Sequence, residues 1–255
     1  MMFNAYKFVE LCMYLLTIVY NLTSISFKIR KFFVVRLWIS FIYVMQVKLM
    51  ALKIMADNEA QQPNAINALK YAIDHGAKIS SNSYGVLGKE KCQSYLMTID
   101  DILSNHPDHL FVSAAGNENN NNDDVVACPC DANAANAMCV AASTPEKKKY
   151  FYSNYGSKGV DVFAPGENIA SLWTNQTYRN SSGTSMATPF VSGLAALILS
   201  IKSDLSGVNV KELITSNVQS MSSRQVSSGG LIDIAKTLKH LSMYAVITFW
   251  CYMLD

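Results

Sequence analysis

Between Val47 and Ile201, short apolar runs alternate with stretches of helical spacing, and few folds accept that rhythm. Val47–Met55 (VKLMALKIM), Ile79–Tyr84, Leu110–Ala115 (LFVSAA) and Met138–Ala142 (MCVAA) read as strands. Pro63–His75 carries apolar residues at Ile66, Leu69, Ala72 and Ile73, and Gln93–Asn105 carries them at Leu96, Ile99, Ile102 and Leu103. Both patterns place their apolar side chains on one helical face. Pro63 suits a first helical turn and Gly76 the left-handed position after a last one. Met186–Ile201 reads as a strongly apolar helix. Strands that alternate with helices imply a mostly parallel sheet covered on both faces. In such folds the functional site lies at the carboxyl ends of the strands.

Composition supports this core and marks its limits. Of the 255 residues 50% are hydrophobic and 16% charged, which excludes a disordered chain. A formal charge of +2 gives no electrostatic case for nucleic acid. The charge deficit lies at the two ends. Apolar runs Phe8–Phe27 and Phe32–Met45 flank Lys28, Arg30 and Lys31, and Leu241–Leu254 is a third apolar stretch. Three domains are expected: an apolar helical segment over 1–46, an α/β domain over 47–240 and an apolar tail over 241–255. For the first segment three readings stand side by side: a signal peptide, a membrane anchor through residues 8–45, or sequence not native to the domain. The first two imply a secretory or membrane-associated location. The Asn119–Asn122 run with Asp123 and Asp124 reads as a solvated surface loop.

The segment with chemistry in it is Ser181–Gly193, SSGTSMATPFVSG. A Gly-Thr-Ser turn runs directly into a helix of small and apolar residues. A serine there is either an N-cap or a nucleophile whose developing oxyanion meets free N–H groups and the positive end of the helix dipole. Asn117, in Ala114–Ala115–Gly116–Asn117, ends a strand and can donate its side-chain amide to an oxyanion. Ser83–Tyr84–Gly85 also ends a strand, with an edge to which an extended peptide can pair.

GTSMATP at 183–189, AAGN at 114–117, SYG at 83–85 and APG at 164–166, in this order, resemble the subtilisin family of serine proteases. The likeness runs from about Val47 to Lys239. It implies a three-layer α/β/α fold and peptide-bond hydrolysis through an acyl-enzyme on Ser185. Asn117 would be the oxyanion donor, Ser83, Tyr84 and Gly85 one wall of the substrate cleft, and Ala114, Ala115 and Gly116 the lining of the primary specificity pocket. The partner implied is a polypeptide. No cofactor is expected; calcium is possible by family, with no metal site assignable. Phe190 stands where the family has His, at a packing position.

The larger departure lies upstream. The family's chain order is Asp, His, Ser, and both missing members should precede Val47, where the sequence has neither aspartate nor histidine. His75 sits where a helix ends, His106 and His109 in a loop at the wrong end of the sheet, His240 beyond the domain, and Asp57 in a surface turn. The expectation is therefore a subtilisin-like domain lacking its N-terminal strands and the elements that bear Asp and His, inactive as written. The alternatives are a pseudoprotease that binds extended peptides, or a membrane-anchored scaffold. Cys92, Cys128, Cys130 and Cys139 allow three pairings or free thiols, with Cys130–Cys139 a reasonable bridge. Asn21, Asn175 and Asn180 begin sequons; a glycan at Asn180 would crowd Ser185, and that sequon is expected to be unused.

Overall fold

The structure, a computed structural model, describes residues 15–21, 47–56, 59–173, 177–223 and 225–241. In chain order the elements are β1 (Leu15–Asn21), β2 (Val47–Lys53), β3 (Met55–Ala56), β4 (Glu59–Ala60), α1 (Gln62–Asp74), β5 (Ile79–Asn82), β6 (Val86–Leu87), α2 (Lys89–Ser104) and β7 (Leu110–Ala114). There follow β8 (Ala127–Cys128), β9 (Ala137–Ser143), β10 (Val162–Pro165), β11 (Ile169–Leu172), β12 (Tyr178–Ser181), α3 (Thr184–Ile201), α4 (Gly207–Ser216), β13 (Gln219–Ser220) and β14 (Gly230–Leu231).

One eight-stranded sheet organises the domain, in the order β13-β14-β10-β9-β7-β5-β1-β2. Its centre is parallel: β5 pairs with β7, β7 with β9 and β9 with β10. Every residue of β5, β7 and β9 is buried. That is why these strands read as continuous apolar or small runs rather than as alternating ones. One core lies between the sheet and α3 with α4, where Val112, Val140, Val162, Val191 and Ile198 meet. A second lies under α1 and α2, around Leu69, Ile99, Leu103 and Phe111, and a smaller third gathers Ala141, Phe163 and Val226. The result is the three-layer α/β/α arrangement expected from the sequence. Among the described residues α3 is the one helix long and apolar enough to cross a membrane, and 78% of it is buried as the central core helix.

The N-terminal region differs from expectation. The sequence predicts an apolar helical segment over 1–46, yet Leu15–Asn21 is a strand inside the sheet. It pairs antiparallel with β2 over seven positions and with β5 over Thr17–Val19. Its sequence, LLTIVYN, is rich in residues that suit a pleated strand. The unpaired edge of β5 offers a row of N–H and C=O groups that a strand satisfies. The membrane and signal readings of the rest of 1–46, and of the tail 242–255, fall outside the described residues, as does Asp57. The 47–55 run also shifts in character. It was expected to be a buried strand, but β2 is a part-buried edge strand and only Ile54, just beyond it, is wholly buried. The Asn119–Asp124 loop is likewise not all solvated. Asn122 is buried, and its amide donates to the Ala115 carbonyl at 3.0 Å.

Candidate active site

Ser185 is the second residue of α3, and its surroundings are fixed from three directions. Gly183, just before the helix, has φ +141°, a conformation side-chain-bearing residues rarely adopt. A Cβ there would also stand 3.0 Å from Asn117 Oδ1. Because Gly183 has no capping side chain, the cap comes from the loop that follows β7. The Thr184 N–H donates to Asn117 Oδ1 at 2.9 Å, and the Thr184 hydroxyl donates to the same oxygen at 3.2 Å. A backbone N–H needs an acceptor, so this contact decides the amide orientation: Oδ1 faces the helix and Nδ2 keeps its protons. The Gly116 N–H closes the ring onto Thr184 Oγ1 at 3.2 Å.

A second tier holds Asn117 in place. Gly116 has φ +105°. Asn154, wholly buried, donates to the Ala115 carbonyl at 3.0 Å, and its Oδ1 accepts the N–H groups of Glu118 and Asn120 at 2.9 Å each. Thr184 and Asn154 are site residues that sequence reasoning missed. Thr184 stands inside the GTSMATP motif, where the sequence marks only a turn. Asn154 lies in a Ser-Asn-Tyr-Gly stretch with no periodicity to mark it.

From the third direction, Ser83 and Ser185 bind each other. The Ser83 hydroxyl donates to the Ser185 carbonyl at 3.0 Å, and the Ser185 hydroxyl donates to the Ser83 carbonyl at 3.4 Å. Beside them opens a cleft of about 1000 Å³. Ser83, Tyr84, Gly85, Ala114, Ala115, Gly116, Asn117 and Ser185 all line it, so the structure brings every residue singled out from the sequence to one place, at the carboxyl ends of β5 and β7. The far wall is Met55, Gln61, Gln62 and Pro63, at the start of α1. Glu118 is the one carboxylate among the lining residues, and none of them is histidine.

The histidines are occupied elsewhere. His75 follows the last residue of α1, at the end away from the cleft; its ring stacks on Tyr71 with centroids 3.9 Å apart. His109 is buried before β7, with Nδ1 on the Ala77 carbonyl and Nε2 on Ser80 Oγ, and burial lowers its pKa to about 4. The four cysteines of the domain form Cys92–Cys128 and Cys130–Cys139 disulfides, so none is a metal ligand. The carboxylates of two neighbouring loops are held by protein donors. Asp123 accepts from Ser157, Lys158 and Gly159. Asp161 accepts from the Cys139 N–H at 2.7 Å and pairs with the Lys211 ammonium at 2.9 Å.

A serine at a helix start, an asparagine amide locked beside it and the segment that continues β5 along one wall meet in one cleft on a parallel α/β sheet. The comparisons agree. The chain belongs to the subtilase family, peptidase S8, whose model matches residues 41–230. Over 117 residues it is 44% identical to "Alkaline protease 1" of Emericella nidulans, covering 44% of this chain and 28% of that protein. Over 189 residues it is 29% identical to "Subtilisin BL" of Lederbergia lenta, covering 73% and 66%. The solved structure of the prenylagaramide maturation protease PagA superposes with a TM-score of 0.63 at 26% identity, over 74% of this chain and 71% of that one. The chain spans less than two thirds of the length of these curated relatives.

Proposed function

We propose that this domain is a subtilisin-like serine endopeptidase domain that binds extended polypeptide along Ser83–Gly85 and that, as this chain, does not turn it over. The observation behind both halves is the environment of Ser185. Two donors are free to meet an oxyanion: Asn117 Nδ2 and the Ser185 N–H, neither of which has an acceptor among the described residues. The Ser185 hydroxyl, by contrast, gives its proton to a carbonyl oxygen, which cannot take it away. Acylation requires the serine O–H bond to break as the O–C bond forms, with the proton passing to a base and then to the leaving amine. Neutral Ser185 is a weak nucleophile without that base. In subtilisin itself, loss of the histidine is known to lower turnover by about 10⁶.

Polypeptide is the partner that the family and the strand edge favour. The two disulfides favour an oxidising compartment, and hence a secretory route. The test is direct. The 255-residue chain is mixed with a fluorophore-labelled extended peptide and, separately, with a serine-directed fluorophosphonate. The expected result is saturable peptide binding, no cleavage, and slow or no labelling of Ser185. Cleavage that disappears in Ser185→Ala would overturn the inert half. Absence of peptide binding would overturn the other.

A further inference from the structure

A chain of side-chain hydrogen bonds runs behind the peptide-binding edge. Ser80, Asn82 and Tyr84 alternate along β5 and its continuation, so their side chains share one face. The Tyr95 and Tyr84 hydroxyls lie 3.2 Å apart, and the Tyr84 hydroxyl donates to Asn82 Oδ1 at 3.3 Å. Asn82 Nδ2 donates to Ser80 Oγ at 3.1 Å and to the Val112 carbonyl at 3.0 Å. Ser80 Oγ meets His109 Nε2 at 2.9 Å, and His109 Nδ1 meets the Ala77 carbonyl at 2.8 Å. Ser80 and Asn82 are 0% exposed, His109 2% and Tyr95 3%.

The direction of every bond follows from the two ends. The Ala77 carbonyl only accepts, so His109 carries its proton on Nδ1. Burial keeps the ring neutral, leaving Nε2 to accept from Ser80. Ser80 then accepts from Asn82, whose other amide proton goes to Val112. Asn82 Oδ1 accepts from Tyr84, and Tyr84 accepts from Tyr95. Burial pushes the Tyr95 phenol up to about 12 and the Tyr84 phenol well above its usual value, so both stay protonated at neutral pH. Every donor is used once and one arrangement satisfies the whole set. Such buried networks fix geometry because breaking one bond strands its neighbours.

Ser83 lies between Asn82 and Tyr84 and points to the other face, where it holds Ser185. The edge is therefore pinned from one side by α3 and from the other by this chain. We propose that Tyr95, Tyr84, Asn82, Ser80 and His109 form a single positioning device that holds Ser83–Gly85 extended for an incoming peptide. The proposal rests on the reading of that edge as the peptide site. Ser80 acts only through the others, and Tyr95→Phe keeps the ring that lines the cleft while removing the hydroxyl that joins the chain, which makes these the residues to change.

The experiment is a double-mutant cycle on the full chain with Ser80→Ala, Tyr95→Phe and the double variant. The readouts are the Kd of a labelled extended peptide and amide exchange at Ser83–Gly85. Each single change should weaken binding and speed that exchange by about three- to tenfold, the range of one buried hydrogen bond. Exchange in Val210–Ile214 of α4 should stay unchanged. The double variant should be no worse than the worse single one, because one broken link already frees the edge. Additive effects, or unchanged exchange at Ser83–Gly85, would overturn the device. If the wild-type chain binds no peptide while exchange still rises non-additively, the device stands and the peptide reading falls.

Discussion

The two walls of the cleft are built differently. On the serine wall each group is held twice: Asn117 by Thr184 and by the turn at Gly116, Ser83 by Ser185 and by the network behind it, and Cys128 by a disulfide to Cys92 and by its pairing with Val86. The opposite wall, Met55 and Gln61–Pro63, has no ionisable side chain, and α1 starts there without a side-chain cap at Gln61. The sheet behind that wall is completed by β1, which joins β5 over three positions only. Preorganised donors and proton removal are thus separable properties of such a cleft. The serine wall holds its proposed oxyanion donors and peptide edge by contacts of its own, without a side-chain bond from the opposite wall among the described residues.

The largest expected effect sharpens this contrast at two glycines. Gly116 and Gly88 have similar backbone angles, φ +105° and +110°. A Cβ on Gly116 would strike Asn154 Nδ2 and come 2.7 Å from Glu118 Oε2, whereas one on Gly88 would meet nothing within 4 Å. Gly116→Ala should cost on the order of 3–5 kcal/mol, through strain plus the lost Asn154 bonds. Gly88→Ala should cost about 1–2 kcal/mol, through backbone strain alone. Equal costs by urea unfolding would mean that the rigidity of the serine wall is not seated in the Asn154 tier.

The disulfides come next. Cys92–Cys128 spans 36 positions and Cys130–Cys139 spans 9. The chain-entropy model gives about 4 kcal/mol for the longer loop and about 2.5 kcal/mol for the shorter. The paired variants Cys92→Ala/Cys128→Ala and Cys130→Ala/Cys139→Ala should therefore differ in that order. The first should also weaken peptide binding, because Cys128 lines the cleft and its carbonyl would be 2.8 Å from a Cβ on Gly85. Unchanged binding in the first pair would show the edge to be held by the tyrosine network alone.

How much of this was visible in the sequence follows the same division. The serine wall was legible because its chemistry is local: GTSMATP, AAGN and SYG each put the functional residue at the end of one element. The helices at 62–74, 89–104 and 184–201 were legible through periodicity and flanking Pro or Gly. Asn154 and the Ser80–His109 contact were not, because each joins residues about 30 or more apart whose spacing carries no pattern. Residues 15–21 misled because an apolar run is a helix or a strand according to what it meets, and what it meets here is the open edge of β5. The short strands β10–β14 and helix α4 went unseen for want of length.

A smaller effect is expected from pH, where two buried groups oppose each other. His109 has its pKa lowered to about 4, by burial first and then by His106 and Lys78, with the Ala77 carbonyl opposing. The unfolded ring takes up a proton near 6.5 while the folded ring does not, so this contribution is full above pH 6.5 and is lost as pH falls toward 4. Asp131 has its pKa raised to about 6, chiefly by burial. Its contribution runs the other way: full below about 4, it is lost as pH rises through 6. Each amounts to about 3 kcal/mol at most, so the two nearly cancel between pH 4 and 6. Asp131→Asn should steepen the loss of stability on acidification, and His109→Gln should reverse its sign. Parallel pH profiles for wild type and both variants would remove buried titration from the account of the serine wall.

The smallest effect separates the two jobs of Asn117. Its Oδ1 caps α3 and its Nδ2 is the proposed oxyanion donor. Asn117→Ala removes both, and the orphaned Thr184 N–H should lower stability by about 1 kcal/mol, or roughly 2–4 °C in Tm. Asn117→Asp keeps an acceptor for Thr184 and places a negative charge at the helix N-terminus, worth about 0.3–1 kcal/mol in its favour. Part of that gain is offset by Glu118, whose carboxylate is held next door by Asn154 at 2.9 Å. Asn117→Asp should therefore melt at or just above the wild-type temperature while losing the donor. Any residual labelling of Ser185 by a fluorophosphonate should fall equally in both variants, since its oxyanion needs Nδ2. If Asn117→Asp melts as low as Asn117→Ala, the cap is not what Asn117 supplies, and the serine wall is held together by Ser83 and Gly116 instead.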